Sequence, residues 1–157
     1  MLPRPVLPVT AAVAGALLLA SCAATVPVKA AEHATDPVCA SVVLAMPDSL
    51  GDGLDQVPTD AQATTAWGEV GSAVVLRCGV EPLGPTTERC ESVTTPNGPT
   101  IDWVVVEADG DWTFTTYGRV PAVEVRVPGS VAQTRSTSFL DRIGPAVART
   151  EQQRQCL

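Results

Sequence analysis

The chain has 157 residues, 45% hydrophobic and 17% charged, which is enough apolar material for one domain with a real core. Seventeen acids against ten bases leave a formal net charge of −7, and Lys29 is the only lysine. An acidic chain without a lysine-rich patch excludes nucleic acid and anionic lipid headgroups as principal partners.

At the N-terminus, Arg4 precedes an apolar run from Val6 to Ala20. The run falls short of the roughly 20 apolar residues that a spanning helix needs, and reads as a signal peptide. Leu19-Ala20-Ser21-Cys22 resembles the bacterial lipobox, in which small residues fit the lipoprotein peptidase and the cysteine sulfur takes a diacylglyceryl group. Residues 1–21 are therefore expected to be cleaved, with Cys22 lipidated and the protein held on the extracytoplasmic face of the plasma membrane. Two or more acyl chains make such an attachment stable. Residues 22–35 are rich in Ala, Val and Thr and predict a flexible tether spanning about 20 Å. A single domain is expected over residues 36–157.

Asp36-Pro37 opens a helix, because Asp caps free amides and Pro suits the first helical position. Cys39, Val42, Val43 and Met46 share one of its faces. The punctuated segment from Gly51 to Ala66 reads as a loop. A strand follows over roughly Ser72 to Cys78, with Val74, Leu76 and Cys78 on one side and Arg77 on the other. From Glu81 to Pro99 the chain is dominated by Pro, Gly, Thr and Ser and reads as a long loop, stapled through Cys90. Ile101 to Glu107 and Asp111 to Tyr117 form a hairpin around Asp109-Gly110, a pair that favours the left-handed angles of a tight turn. Val123, Val125 and Val127 mark a further strand. Phe139, Leu140, Ile143 and Val147 mark the buried side of a final helix, which Gly144-Pro145 is expected to kink or restart. The plan is α+β: a small antiparallel sheet packed against an N-terminal and a C-terminal helix.

Cys39, Cys78, Cys90 and Cys156 form an even set in an exported chain, and predict two disulfides. None lies in a Cys-x-x-Cys pair and no histidine is near them in sequence, so no metal site is expected among them. Trp67-Gly68, Val74-Val75-Leu76-Arg77-Cys78-Gly79-Val80, Ile101-Asp102-Trp103 and Thr116-Tyr117-Gly118-Arg119-Val120-Pro121 together resemble the family called domain of unknown function 3515. The resemblance covers about Cys39 to Ala148. It implies an actinobacterial exported protein or lipoprotein, with one cysteine in the first helix and another in the Arg-Cys-Gly-Val block. Members often lack counterparts of Cys90 and Cys156, which implies the pairs Cys39–Cys78 and Cys90–Cys156. A helix stripe carrying Cys39 packed on the strand face carrying Cys78 would allow the first bond. The rival map joins Cys78 to Cys90 and Cys39 to Cys156, and stays open at this point.

No catalytic constellation stands out. His33, the only histidine, and Lys29 both fall in the expected tether, and mechanisms built on an imidazole need it positioned. Asp102, Glu107, Asp109 and Asp111 surround the hairpin, and paired carboxylates about 5–9 Å apart can hydrolyse glycosides. Asp109-Gly110-Asp111 lacks the further ligands of a calcium loop. Arg77 and Arg119, with Trp67, Trp103 and Tyr117 nearby in the motif blocks, would frame a pocket for an anionic ligand. Alternatively each arginine pairs with an internal acid such as Asp102 or Glu124. The expected role is that of a non-catalytic envelope accessory or interaction protein without a cofactor. Its partners would be the membrane, through Cys22, and an envelope protein or ligand. A carrier of a small molecule or lipid near Arg77 and Arg119 is the alternative, and a carboxylate hydrolase the third.

Overall fold

The computed structural model describes residues 24–95, 98–134 and 136–157. The expected signal peptide and Cys22 lie outside the described residues. Among those described, no helix is long and apolar enough to cross a membrane.

A seven-stranded antiparallel sheet in the order β1-β2-β3-β8-β6-β5-β4 forms the centre. Its strands are β1 (Gln56–Val57), β2 (Thr64–Trp67), β3 (Val74–Val80), β4 (Arg89–Thr94), β5 (Thr100–Ala108), β6 (Asp111–Thr116) and β8 (Ala122–Val127). The short β7 (Arg119–Val120) pairs separately with β9 (Glu151–Gln152). The β5–β6 hairpin closes through a two-residue loop in which Asp109 (φ 54°) and Gly110 (φ 85°) both take left-handed angles. That geometry matches the twist of the flanking strands.

One face of the sheet carries the main core. Alternation along β3 turns Val74, Leu76 and Cys78 inward, and β8 adds Val123, Val125 and Val127. Ile101, Trp103, Val105 and Phe114 complete the face. Helix α1 (Pro37–Leu44) starts as expected, with the Asp36 carboxylate accepting from the Val38 amide at 2.8 Å and Pro37 in the first turn. It buries Cys39 and Val42 against the sheet. After a short helix α2 (Gly129–Ala132), a 3₁₀ turn (Thr137–Phe139) leads into α3 (Leu140–Val147), which buries Leu140, Ile143 and Val147. Pro145 neither breaks nor restarts α3. It lies on the exposed side, so the cost is one missing amide near solvent, while Gly144 lets Thr95 come into contact where a side chain would stand.

Both expected disulfides are present. Cys39–Cys78 joins α1 to β3 inside the core with Cα atoms 5.4 Å apart, and Cys90–Cys156 joins β4 to the C-terminal segment at 6.4 Å. The rival map is excluded.

Three expectations are corrected. The segment from Glu81 to Pro99 is not all loop: Arg89–Thr94 forms β4, an edge strand paired along β5. Its mostly exposed, polar residues conceal it, because charged groups such as Arg89 and Glu91 protect an edge without adding apolar alternation. The segment from Gly51 to Ala66 likewise contains β1 and most of β2. Residues 24–35 are not free of the domain. Val26 is buried beside Ala66 and Ala73 on the second face of the sheet, and its amide donates to the Pro58 carbonyl at 2.8 Å. The Val28 amide donates to Asp60 at 2.7 Å, and the His33 amide to the Gly79 carbonyl at 2.9 Å. Burial of Val26, partial burial of Val28 and their paired backbone amides hold this segment down.

Trp67 and Trp103 are both fully buried but differ in one bond. Trp67 Nε1 donates to the Pro47 carbonyl at 2.8 Å, whereas Trp103 Nε1 has no partner among the described residues. Trp67→Phe should therefore destabilise the protein by at least about 1 kcal/mol more than Trp103→Phe, as measured by urea denaturation. Equal losses would show that the Pro47 bond contributes nothing.

Candidate functional site

The second face of the sheet carries the polar side chains that the sequence singled out. Arg77 on β3 stands opposite Glu124 on β8, and donates to its carboxylate through Nε at 3.0 Å and Nη2 at 2.8 Å. Its remaining donor reaches the Lys29 carbonyl at 3.3 Å, so Arg77 also fastens the N-terminal segment. Both bonds converge on one oxygen, Oε1, in an internal charge-assisted ion pair.

Arg119 is committed differently. Its guanidinium is buried, donating to the Thr150 carbonyl at 2.9 Å and to Gln152 Oε1 at 3.1 Å. Burial lowers its pKa from the ordinary arginine value, and the nearby charge of Asp102 opposes that shift. Asp102 is itself nearly buried. It accepts from Ser92 Oγ at 2.6 Å and from the Cys156 amide at 2.9 Å. Together with Cys90–Cys156 and the β7–β9 pair, Asp102 and Arg119 strap residues 151–156 over the β5–β4 end of the sheet.

The expected pocket of Arg77, Arg119, Trp67, Trp103 and Tyr117 is thus not assembled. The two tryptophans point into the core on the opposite face, and both arginines are occupied by internal partners. Tyr117 lines a cleft of about 640 Å³ with Val104 as floor and Arg154, Cys90 and Cys156 on its walls, while Arg77 borders a separate, smaller one beside Lys29 and Arg126. Arg154 was not among the expected residues, and nothing local marks it; the strap brings it there.

Asp102 and Asp111, two of the acidic residues of the hairpin, are too far apart to act as a hydrolytic pair. Asp111 pairs with Ala108, so Asp102 lies about 20 Å away along the strand, well beyond a glycosidase spacing. Asp111 accepts from the Gly129 amide at 2.8 Å, and Asp109 occupies the turn.

His33 is where sequence reasoning fell furthest short. Its imidazole Nε2 lies 3.1 Å from the Glu81 carboxylate, just beyond the end of β3, with Glu32 close by. A cleft of about 500 Å³ opens beside the pair, lined also by Thr35, Asp36, Val80 and Val120. The backbone at His33 is pinned by Gly79, whose φ of 93° coincides with a register irregularity between Cys78 and Val80. A side chain on Gly79 would overlap the His33 carbonyl. Glycine in the Arg-Cys-Gly-Val block was the available signal, because such a residue inside a strand marks a bulge or a close backbone approach.

A disulfide-linked antiparallel sheet flanked by helices and strapped at both ends defines the class. The model of the family described as protein of unknown function DUF3515 matches residues 2–156, and the chain belongs to that family. No curated protein and no solved structure matches it.

Proposed function

We propose that this protein is a lipid-anchored component of the cell envelope, held on the outer face of the plasma membrane, and that it serves there as a non-catalytic accessory or interaction protein. The observation that carries the reading is the cysteine pattern. Of five cysteines, Cys39, Cys78, Cys90 and Cys156 are consumed in two disulfides, which suits an oxidising compartment. The remaining cysteine is Cys22, which closes the lipobox-like Leu19-Ala20-Ser21-Cys22 behind an apolar run. The absence of catalytic work is supported by the internal engagement of Arg77, Arg119 and Asp102 in fastening the fold.

The test is Cys22→Ser. Wild-type protein should incorporate labelled fatty acid and sediment with membranes. The variant should remain unlabelled, and either leave the membrane fraction or persist as the longer precursor. A variant with unchanged labelling, mobility and fractionation would end the anchoring proposal.

A second reading, as a carrier of an amphipathic anion, is favoured by the cleft between Tyr117 and Arg154. There an apolar floor, a phenol and a guanidinium converge beneath the C-terminal strap.

A further inference from the structure

We propose that Glu32, His33 and Glu81 form a binding site for a divalent transition-metal ion of the zinc type. The three side chains each offer one donor atom, and these atoms lie within 4.8 Å of one another. The His33–Glu81 separation of 3.1 Å is already near the ~3.3 Å between neighbouring donors around a tetrahedral zinc. Glu32 and Glu81 are exposed and have long stems, so a rotamer adjustment of the carboxylates closes the rest of the gap.

The imidazole does not need to search for this position. The His33 amide bonds to the Gly79 carbonyl at 2.9 Å, and the His33 carbonyl accepts from the Asp36 amide at 3.0 Å. These bonds hold residues 32–36 as a turn against the exit of β3, where Glu81 follows Val80. Electrostatics favour a cation. The adjoining cleft is bordered by Asp36 and Glu81, and among the described residues no lysine or arginine lines it.

The donor set chooses the class of metal. Calcium and magnesium take six or more oxygen ligands, which two carboxylates and an imidazole do not provide. Imidazole with carboxylate suits zinc and its neighbours in the first transition row, among which copper(II) binds most tightly. Three protein donors leave a fourth position facing the cleft, for water or for a donor from a partner. The bound ion would join the N-terminal segment, 11 residues beyond Cys22, to the sheet across 48 positions of sequence.

A single histidine makes the test direct. Zinc chloride is titrated into the oxidised, untagged full chain in detergent, and binding is followed by calorimetry and by the imidazole proton resonances. The expected result is saturation at one ion per chain, with the imidazole resonance shifting in step, and no response to the same concentration of magnesium. His33→Ala should abolish the binding and Glu81→Gln should weaken it by at least about tenfold. Glu107→Gln, on the exposed β5–β6 hairpin, should keep wild-type affinity. The proposal is overturned if zinc binds while the imidazole resonance stays still, or if no saturable binding occurs. It is equally overturned if Glu81→Gln binds as well as wild type, if Glu107→Gln weakens binding as much as Glu81→Gln does, or if magnesium competes.

Discussion

Replacing Cys39 and Cys78 together by alanine is expected to cost about 4 kcal/mol of unfolding free energy. The bond closes a loop with a sequence separation of 39, and both of its ends are completely buried between α1 and β3. Neither end can leave its place without opening the core, so the whole restriction on the unfolded chain is expressed as stability. The equivalent removal of Cys90–Cys156 closes a longer loop on paper, with a separation of 66, yet should cost less. One end of that bond lies on an edge strand and the other on the C-terminal strap. The strap can lift off locally, and the loss is then capped by the free energy that docks residues 151–156. Urea denaturation of the two double variants under non-reducing conditions compares them directly. A larger loss for the Cys90/Cys156 variant would contradict the assignment of Cys39–Cys78 as the core fastening.

Gly79→Val should cost about 3 kcal/mol, from two separate sources. The φ of 93° belongs to a region that a β-branched residue hardly enters, and the added side chain would overlap the His33 carbonyl. The N-terminal turn would have to move off β3, carrying His33 away from Glu81. Gly53→Val is the control, since Gly53 also has a positive φ (78°) but has open space where the Cβ would stand. The excess cost at Gly79 then measures the contact with His33, and hydrogen exchange of the His33 amide should accelerate at Gly79→Val alone. Equal destabilisation at the two glycines, with unchanged exchange at His33, would show that the turn is not pinned there.

The arginines show how a correct local reading can leave the role undecided. Arg77 was legible as the outward residue of a strand whose other face carries Val74, Leu76 and Cys78. Whether its fork meets a ligand or Glu124 depends on β8 arriving beside β3 in one register, and those two residues are 47 positions apart. The same holds for Arg119, whose acceptors Thr150 and Gln152 come from beyond α3. Both side chains turned out to be internal fasteners. Residues 24–35 failed for a related reason. Val26 and Val28 alternate with Pro27 and Lys29, a faint strand-like signal, but two valines decide nothing until Ala66 and Ala73 provide a surface to cover.

What the sequence by itself determined is whatever a few adjacent residues control: the Asp36-Pro37 helix start, the Asp109-Gly110 turn, the alternation of β3 and β8, and the apolar stripe of α3. Capping, left-handed turn angles and side-chain period are local physics, and they gave the elements before any packing was known. The disulfide pairs were implied by the family resemblance, and the packing of α1 on β3 in the structure decided between them and the rival map. Only the tertiary structure decided that an exposed polar segment is the edge strand β4, that residues 24–35 and 151–156 strap the second face of the sheet, and that His33 meets Glu81. Each of these depends on a partner far away in sequence, and for such contacts the free energy lies in the meeting of two surfaces, neither of which carries a pattern of its own.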